Sequence, residues 1–312
     1  MPRPGNRKPG LREIAEREAN RRSPRRSVYA ALALLFIIGC VSGSIVVKDR
    51  YDTYRAQKTA EEAVGKLNSM GASPTPAPAP ETASPSPSAS APPVSPSGPV
   101  LSTEPPAPAE TPPRIQRNFQ ELREQYGNDD IVGYLNIPGT TIDYLVMYSG
   151  DNDFYLHRDI NKEYSFAGSI FMDMDNDAAA GGYNTILYGH NMKAEIMFHD
   201  LRLYQSRDFM ESHRYVTFNT VYRNMTWEVF SFYMVDYNDF PFTRVDFADD
   251  DEFYQFALQM KERSMYDTGV DVAPGDRVLT LQTCSEIGSA DNRFILEAKL
   301  ITTDGQPYPA AP

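Results

Sequence analysis

From residue 131 onward the chain alternates short apolar runs with turn signals. The runs are 131–137, 142–147, 169–172, 184–188, 215–218, 225–235, 277–282 and 293–302. Pro138-Gly139, Ser149-Gly150, Gly181-Gly182 and Pro274-Gly275 punctuate them. Eight short strands at this spacing predict a closed or nearly closed β-barrel, mostly β with peripheral helices. Two stretches carry a helical period instead. Over 118–126, Phe119, Leu122 and Tyr126 share a face, Asn118 can cap the start and Gly127 ends it. Over 249–265, three aspartates stand at the positive end of the helix dipole, and Phe253, Phe256, Ala257 and Met260 share a face.

The first 114 residues follow no such alternation. Residues 27–47 carry no charge. As a helix they would be about 30 Å long, the thickness of a bilayer's hydrocarbon. The run is longer than the apolar part of a cleaved signal peptide, and a buried core helix would not normally follow a basic tail. Nine Lys/Arg against three Glu in residues 1–26 place the N-terminus in the cytoplasm by the positive-inside rule. Residues 48–70, charged and Ala-rich, predict a short juxtamembrane helix. Residues 71–114 hold 15 of the 25 prolines and no aromatic residue. Such composition buries no core and favours an extended spacer reaching on the order of 100 Å. The expected order is a cytoplasmic tail (1–26), a single-pass plasma-membrane anchor (27–47), a juxtamembrane segment (48–70), a spacer (71–114), an extracellular globular domain (115–304) and a short tail (305–312).

Charge sharpens this picture. The net charge is −12 over 312 residues, but residues 115–312 hold 15 basic and 32 acidic side chains, a net of −17. So acidic a domain repels phosphate backbones, which argues against nucleic acid as a partner. Two cysteines exclude a disulfide scaffold, and four scattered histidines argue against a multi-histidine metal centre. Asp173, Asp175 and Asp177 imitate the start of a calcium loop, but Ala178 and Asn184 stand where Gly and Glu are needed. Neither a metal nor a cofactor is expected.

Three residues can carry chemistry. Cys40 falls in the apolar span, so Cys284 is the one thiol of the exported domain. It ends an apolar β run, Arg277 to Leu281, in a polar cluster, where a barrel opens to solvent. A lone thiol there is intermolecular, inert or reactive. His190 likewise follows a β run and a glycine, in the string Tyr188-Gly-His-Asn191. By itself it reads as a structural hydrogen-bonder as readily as a catalyst, and His157, His199 and His213 read as structural. Arg293 opens the last strand nine residues after Cys284. If the loop 285–292 folds back, the guanidinium approaches the thiol, where a cation lowers a thiol's pKa and donates to an oxyanion. The competing reading is a surface arginine paired with an acidic neighbour.

Together, Thr280-Leu-Gln-Thr-Cys284, Tyr188-Gly-His-Asn191 and the arginine soon after the cysteine resemble the sortases, membrane-anchored cysteine transpeptidases of Gram-positive surfaces. The strings Asn152-Asp-Phe-Tyr-Leu156, Ala167-Gly-Ser-Ile-Phe-Met-Asp173 and Glu297-Ala-Lys-Leu300, with the helix before the cysteine strand, are most similar to class B. The resemblance, over about residues 116–303, implies an eight-stranded sortase-type β-barrel. It implies Cys284 as nucleophile, His190 as proton donor and acceptor, and Arg293 as the group that holds substrate and stabilises the oxyanion. Tyr188, Asn152, Leu156 and Thr283 match positions lining that class's substrate groove. Gln282 departs from the small serine often found at its position. The implied partners are surface proteins with a C-terminal sorting signal and a cell-wall precursor amine, or a pilin lysine if the enzyme polymerises pilins. A secreted cysteine hydrolase and a tethered receptor are the readings outside the family. With no carboxylate evident beside His190, a mostly neutral Cys284–His190 pair is expected.

Overall fold

The structure is a computed structural model and describes residues 10–71, 115–178, 182–284 and 292–308. The Pro-rich stretch and the loop 285–291 lie outside the described residues. The chain divides into two units, Met1–Arg55 and Ala56–Pro312.

One helix, α1 (Leu11–Ser69), contributes to both units. From Ala31 it is long and apolar enough to cross a membrane, with a mean hydropathy of 2.2 over its apolar window and none of that window buried. The separate helix expected over 48–70 is instead the continuation of this one. Its alanines and long charged side chains are good helix formers, and nothing between Val47 and Ser69 interrupts the ladder.

In the second unit the last turns of α1 bury Ala56, Ala63, Val64 and Leu67. Three of these pack with Phe119 and Leu122 of α2 (Arg117–Tyr126) over Ile131, Tyr155 and Ile160. Gly127 ends α2 with φ 56°, the left-handed conformation glycine adopts cheaply, and its N–H donates to the Arg123 carbonyl. Asn118 is not the cap. It sits inside the helix, where its Oδ1 accepts from the Phe119 amide. The start lies at Gln116, whose backbone N–H is tied to the Val221 carbonyl at 2.8 Å.

The strands are β1 (Ile131–Asn136), β2 (Asp143–Met147), β3 (Ile170–Met172), β4 (Asn184–Tyr188), β5 (Tyr215–Thr220), β6 (Met225–Asp236), β7 (Val278–Cys284), β8 (Asn292–Thr303) and the two-residue β9 (Gln306–Pro307). Their order is β6-β5-β1-β2-β3-β4-β7-β8, and β8 pairs back onto β6, closing the expected eight-stranded barrel; β9 merely extends one edge of β8. Leu135, Val146, Leu187, Phe218, Leu281 and Leu296 fill the interior. A short helix, α3 (Arg207–Ser212), precedes β5. The helix α4 (Asp250–Glu262) covers the outer face of β6, β7 and β8, packing Phe253, Phe256 and Met260 against Phe230, Tyr233 and Ile295. Asp249 caps it as the acidic run predicts, with its Oδ1 accepting from the Glu252 amide at 2.8 Å.

Candidate active site

Three neighbouring strands bring the candidate residues to one end of the barrel. β4 and β7 run parallel, with Asn184 opposite Val278 and Tyr188 opposite Gln282. The Gly189 amide carries the pairing one step further, donating to the Gln282 carbonyl. His190 stands two residues beyond Tyr188 and Cys284 two beyond Gln282, so each follows the paired ends of its strand by the same number of residues. β8 returns antiparallel, and its first residues pair Arg293 with Cys284. Strand alternation assigns positions 280 and 282 to one face, the one β8 shares at 295 and 297.

His190 is half-buried and held on two sides by the 3-10 helix Phe154–His157. Its Nε2 lies 2.9 Å from the Leu156 carbonyl oxygen. A carbonyl only accepts, so Nε2 carries the hydrogen and Nδ1 is the lone-pair nitrogen. The ring of His157 stacks on that of His190 at 5.6 Å and 19°. Burial pulls the His190 pKa below its ordinary 6.5; the Leu156 bond opposes that pull, and the His157 charge adds to it. The imidazole is therefore neutral near pH 7.

The loop after His190 is also fixed. The His190 carbonyl accepts from the Phe198 amide. Arg202 Nε donates to His199 Nε2, so His199 Nδ1 donates to Asn191 Oδ1 at 2.8 Å. Gly189 is required here because a Cβ would meet Ile170 at 2.5 Å and Phe198 at 2.7 Å.

Tyr188 and Asn152 meet at one buried carboxylate. Asp173 Oδ2 accepts from the Tyr188 hydroxyl at 2.6 Å and from Asn152 Nδ2 at 3.0 Å, and its Oδ1 accepts from the Asp175 amide. Burial first, then Asp173, drives the Tyr188 phenol far above its ordinary pKa. The sequence marked Asp173 only as the end of a matching string and the start of a failed calcium loop. His157 carried no signal at all, because nothing in its neighbourhood announces a contact with His190.

Leu156 contributes its carbonyl, and its half-buried side chain packs against the α1–α2 cluster. Thr283 is 1% exposed. Alternation puts it on the face of Leu281, turned away from Gln282, and its Oγ1 finds no hydrogen-bond partner among the described residues. It therefore borders the site from behind and is not an open contact on the groove. Arg293 is half-exposed, with its guanidinium 5.5 Å from the Tyr237 ring centre and Nη1 donating to the Asn292 carbonyl. No carboxylate pairs with it among the described residues. A cavity of about 240 Å³ beside Trp227, Arg223 and Arg277 opens at the opposite ends of these strands, away from His190.

A sortase domain model matches residues 135–301. The sortase B of Listeria monocytogenes is 39% identical over 184 residues, which cover 58% of this chain and 74% of that protein. The chain belongs to the sortase family, in class B. The structure of sortase B from Bacillus anthracis in complex with AAEK1 superposes with a TM-score of 0.60 at 30% identity, covering 80% of this chain and 98% of that one. A Staphylococcus aureus sortase B–substrate complex superposes with a TM-score of 0.56 at 34% identity, covering 60% and 86%. This sortase is accordingly a cysteine transpeptidase of the surface-protein-anchoring type, and its barrel is the fold those relatives share.

Proposed function

We propose that Cys284, His190 and Arg293 carry out the transfer. The Cys284 thiolate attacks the threonine carbonyl of a C-terminal sorting signal, and Arg293 donates to the resulting oxyanion. The C–N bond breaks as the imidazolium of His190 gives its proton to the leaving amine, which leaves a thioester on Cys284. An incoming amine then loses a proton to His190 Nδ1 and attacks the thioester, and the thiolate departs. The strand register supports this reading most: His190 and Cys284 each follow the paired ends of β4 and β7 by two residues, and β8 pairs Arg293 with Cys284. Tyr188, Asn152 and Leu156 bind the signal peptide, while Thr283 backs the nucleophile.

The acceptor is a cell-wall amine and the donors are surface proteins. Among the relatives, a sortase B has been solved complexed with triglycine, a peptide with a free amine. The apolar part of α1 anchors the enzyme in the plasma membrane with residues 1–26 in the cytoplasm and the catalytic domain outside, as the basic tail requires. The Pro-rich stretch then belongs to the extracellular part.

The test is to incubate the full chain with sorting peptides with and without an amine. A ligated product that appears only with the amine is expected. The same hydrolysed product under both conditions would make the protein a hydrolase. Protease added to intact wall-stripped cells should digest the domain and spare residues 1–26.

A further inference from the structure

Behind the proposed site, one run of buried polar groups crosses four adjacent strands. Asn184 of β4, Thr280 of β7, Glu297 of β8 and Tyr233 of β6 are all at most 2% exposed. Thr280 lies four residues before Cys284, and Glu297 four residues after Arg293. The strands bonded here are those that lead to the site, together with the β6 strand that closes the barrel.

The hydrogens of this run can be counted. Asn184 Nδ2 donates to the carbonyls of Phe242 at 3.0 Å and Arg244 at 3.1 Å, so the amide orientation is fixed and Oδ1 faces Thr280. Thr280 Oγ1 lies 2.7 Å from Asn184 Oδ1 and 2.6 Å from Glu297 Oε2. A hydroxyl owns one hydrogen, and two short contacts to acceptor oxygens need two. Asn184 Oδ1 has none to give. The second hydrogen must sit on Glu297. The other carboxyl oxygen accepts from the Tyr233 hydroxyl at 2.8 Å. Tyr233 of β6 and Thr280 of β7 thus face the carboxyl, and Asn184 of β4 faces Thr280. Arg263, just past the end of α4, exerts its charge on Tyr233 and stacks on Phe240. No cation bonds the carboxyl among the described residues. Independently of the hydrogen count, burial pushes Glu297 up to about 7 against the opposing bonds from Thr280 and Tyr233.

We propose that Glu297 is a positioning residue held as a neutral carboxylic acid, whose hydrogen bonds through Thr280 to Asn184 fix the strands that present His190, Cys284 and Arg293. Its link to turnover rests on the function proposed above; its protonation does not.

The experiment uses the full chain in detergent micelles and compares the parent with Glu297→Gln, an isostere of the neutral acid. Infrared spectra of the parent at pH 5 should contain the carbonyl band of a water-excluded carboxylic acid. The band should fade as pH rises to 8 and be missing from the variant at every pH. A carboxyl raised in the folded state adds stability below its ordinary pKa and loses it as pH rises through the folded value. The parent's folding equilibrium constant relative to that of Glu297→Gln should therefore fall roughly 70-fold from pH 5 to pH 8. Glu297→Gln should keep turnover within about twofold near pH 7 while Glu297→Ala loses at least tenfold. Absence of the band from the parent at pH 5, a pH-independent ratio, or failure of Glu297→Gln to fold would each overturn the neutral acid. Full turnover in a folded Glu297→Ala would overturn the positioning role. A parent inert on every sorting peptide would count against the transpeptidase, leaving the band and the stability ratio to decide this proposal.

Discussion

The Leu156 carbonyl oxygen lies 2.9 Å from His190 Nε2, although the two residues are 34 positions apart. This bond does the orienting that a carboxylate performs in many histidine-dependent sites. A carbonyl has no full charge with which to stabilise an imidazolium, and burial disfavours the charged ring as well. The His190 ring therefore rests as a neutral imidazole.

The tautomer is directly observable. Nitrogen NMR of His190 near pH 7 should show hydrogen on Nε2 and a lone pair on Nδ1, with a titration midpoint below the ordinary histidine value. An imidazolium signal near pH 7, or hydrogen on Nδ1, would contradict the site's geometry.

Gly168 protects the same bond. Its φ is +62°, and a Cβ there would lie 2.3 Å from the Leu156 oxygen. Gly168→Ala must move the carbonyl that holds His190. Stability should fall by about 1–3 kcal/mol and kcat by about tenfold or more, read from denaturant unfolding and single-peptide turnover. Unchanged kcat would mean that the carbonyl has no part in aligning the ring.

His157 is predicted to shift the acid limb of the pH–rate profile, on top of the larger effect of burial on His190. Its stacked ring lowers the His190 pKa through its own charge. His157→Phe keeps an aromatic ring on His190 and removes that charge, so the peak rate should survive while the acid limb moves to higher pH. A limb that stays in place would show the stacking to be incidental.

The barrel was legible because its strands alternate over a single core and are separated by turn residues, as in 131–137 and 184–188. The ends of β4 and β7 were legible for the same reason, and they carry His190 and Cys284. What sequence withheld depends on tertiary contact. The bond from Leu156 uses a backbone atom, which no side-chain pattern advertises. His157 acquires its neighbour only when the 3-10 helix folds against the end of β4. Asp173 looked like a failed cation ligand because the donors that satisfy it, Tyr188 and Asn152, come from other segments. Asn118 had the right chemistry for a cap, but the chain's attachment to Val221 starts the helix earlier. Thr283 shares a motif with Cys284, yet the period of two in a strand turns it away from the face of Gln282 and buries it.

Asp173 should matter through Tyr188 and Asn152, the proposed peptide-binding residues it fixes. Asp173→Ala leaves the Tyr188 and Asn152 donors without their buried acceptor, at a cost of about 2–4 kcal/mol. Tyr188→Phe is milder and should raise KM several-fold with a smaller change in kcat. Steady-state kinetics on a sorting peptide separates the two effects, and an unchanged KM in both variants would remove Tyr188 from the peptide site.

The most direct measurement is mass spectrometry of the enzyme caught during turnover. The full chain is mixed with a sorting peptide without an amine acceptor, quenched in acid and digested. The peptide containing Cys284 should carry the mass of the acyl fragment. That mass should disappear when an amine is added before the quench, with the ligated product appearing in equal amount. An acyl group on another residue, or ligation that proceeds undiminished in Cys284→Ala, would contradict the account.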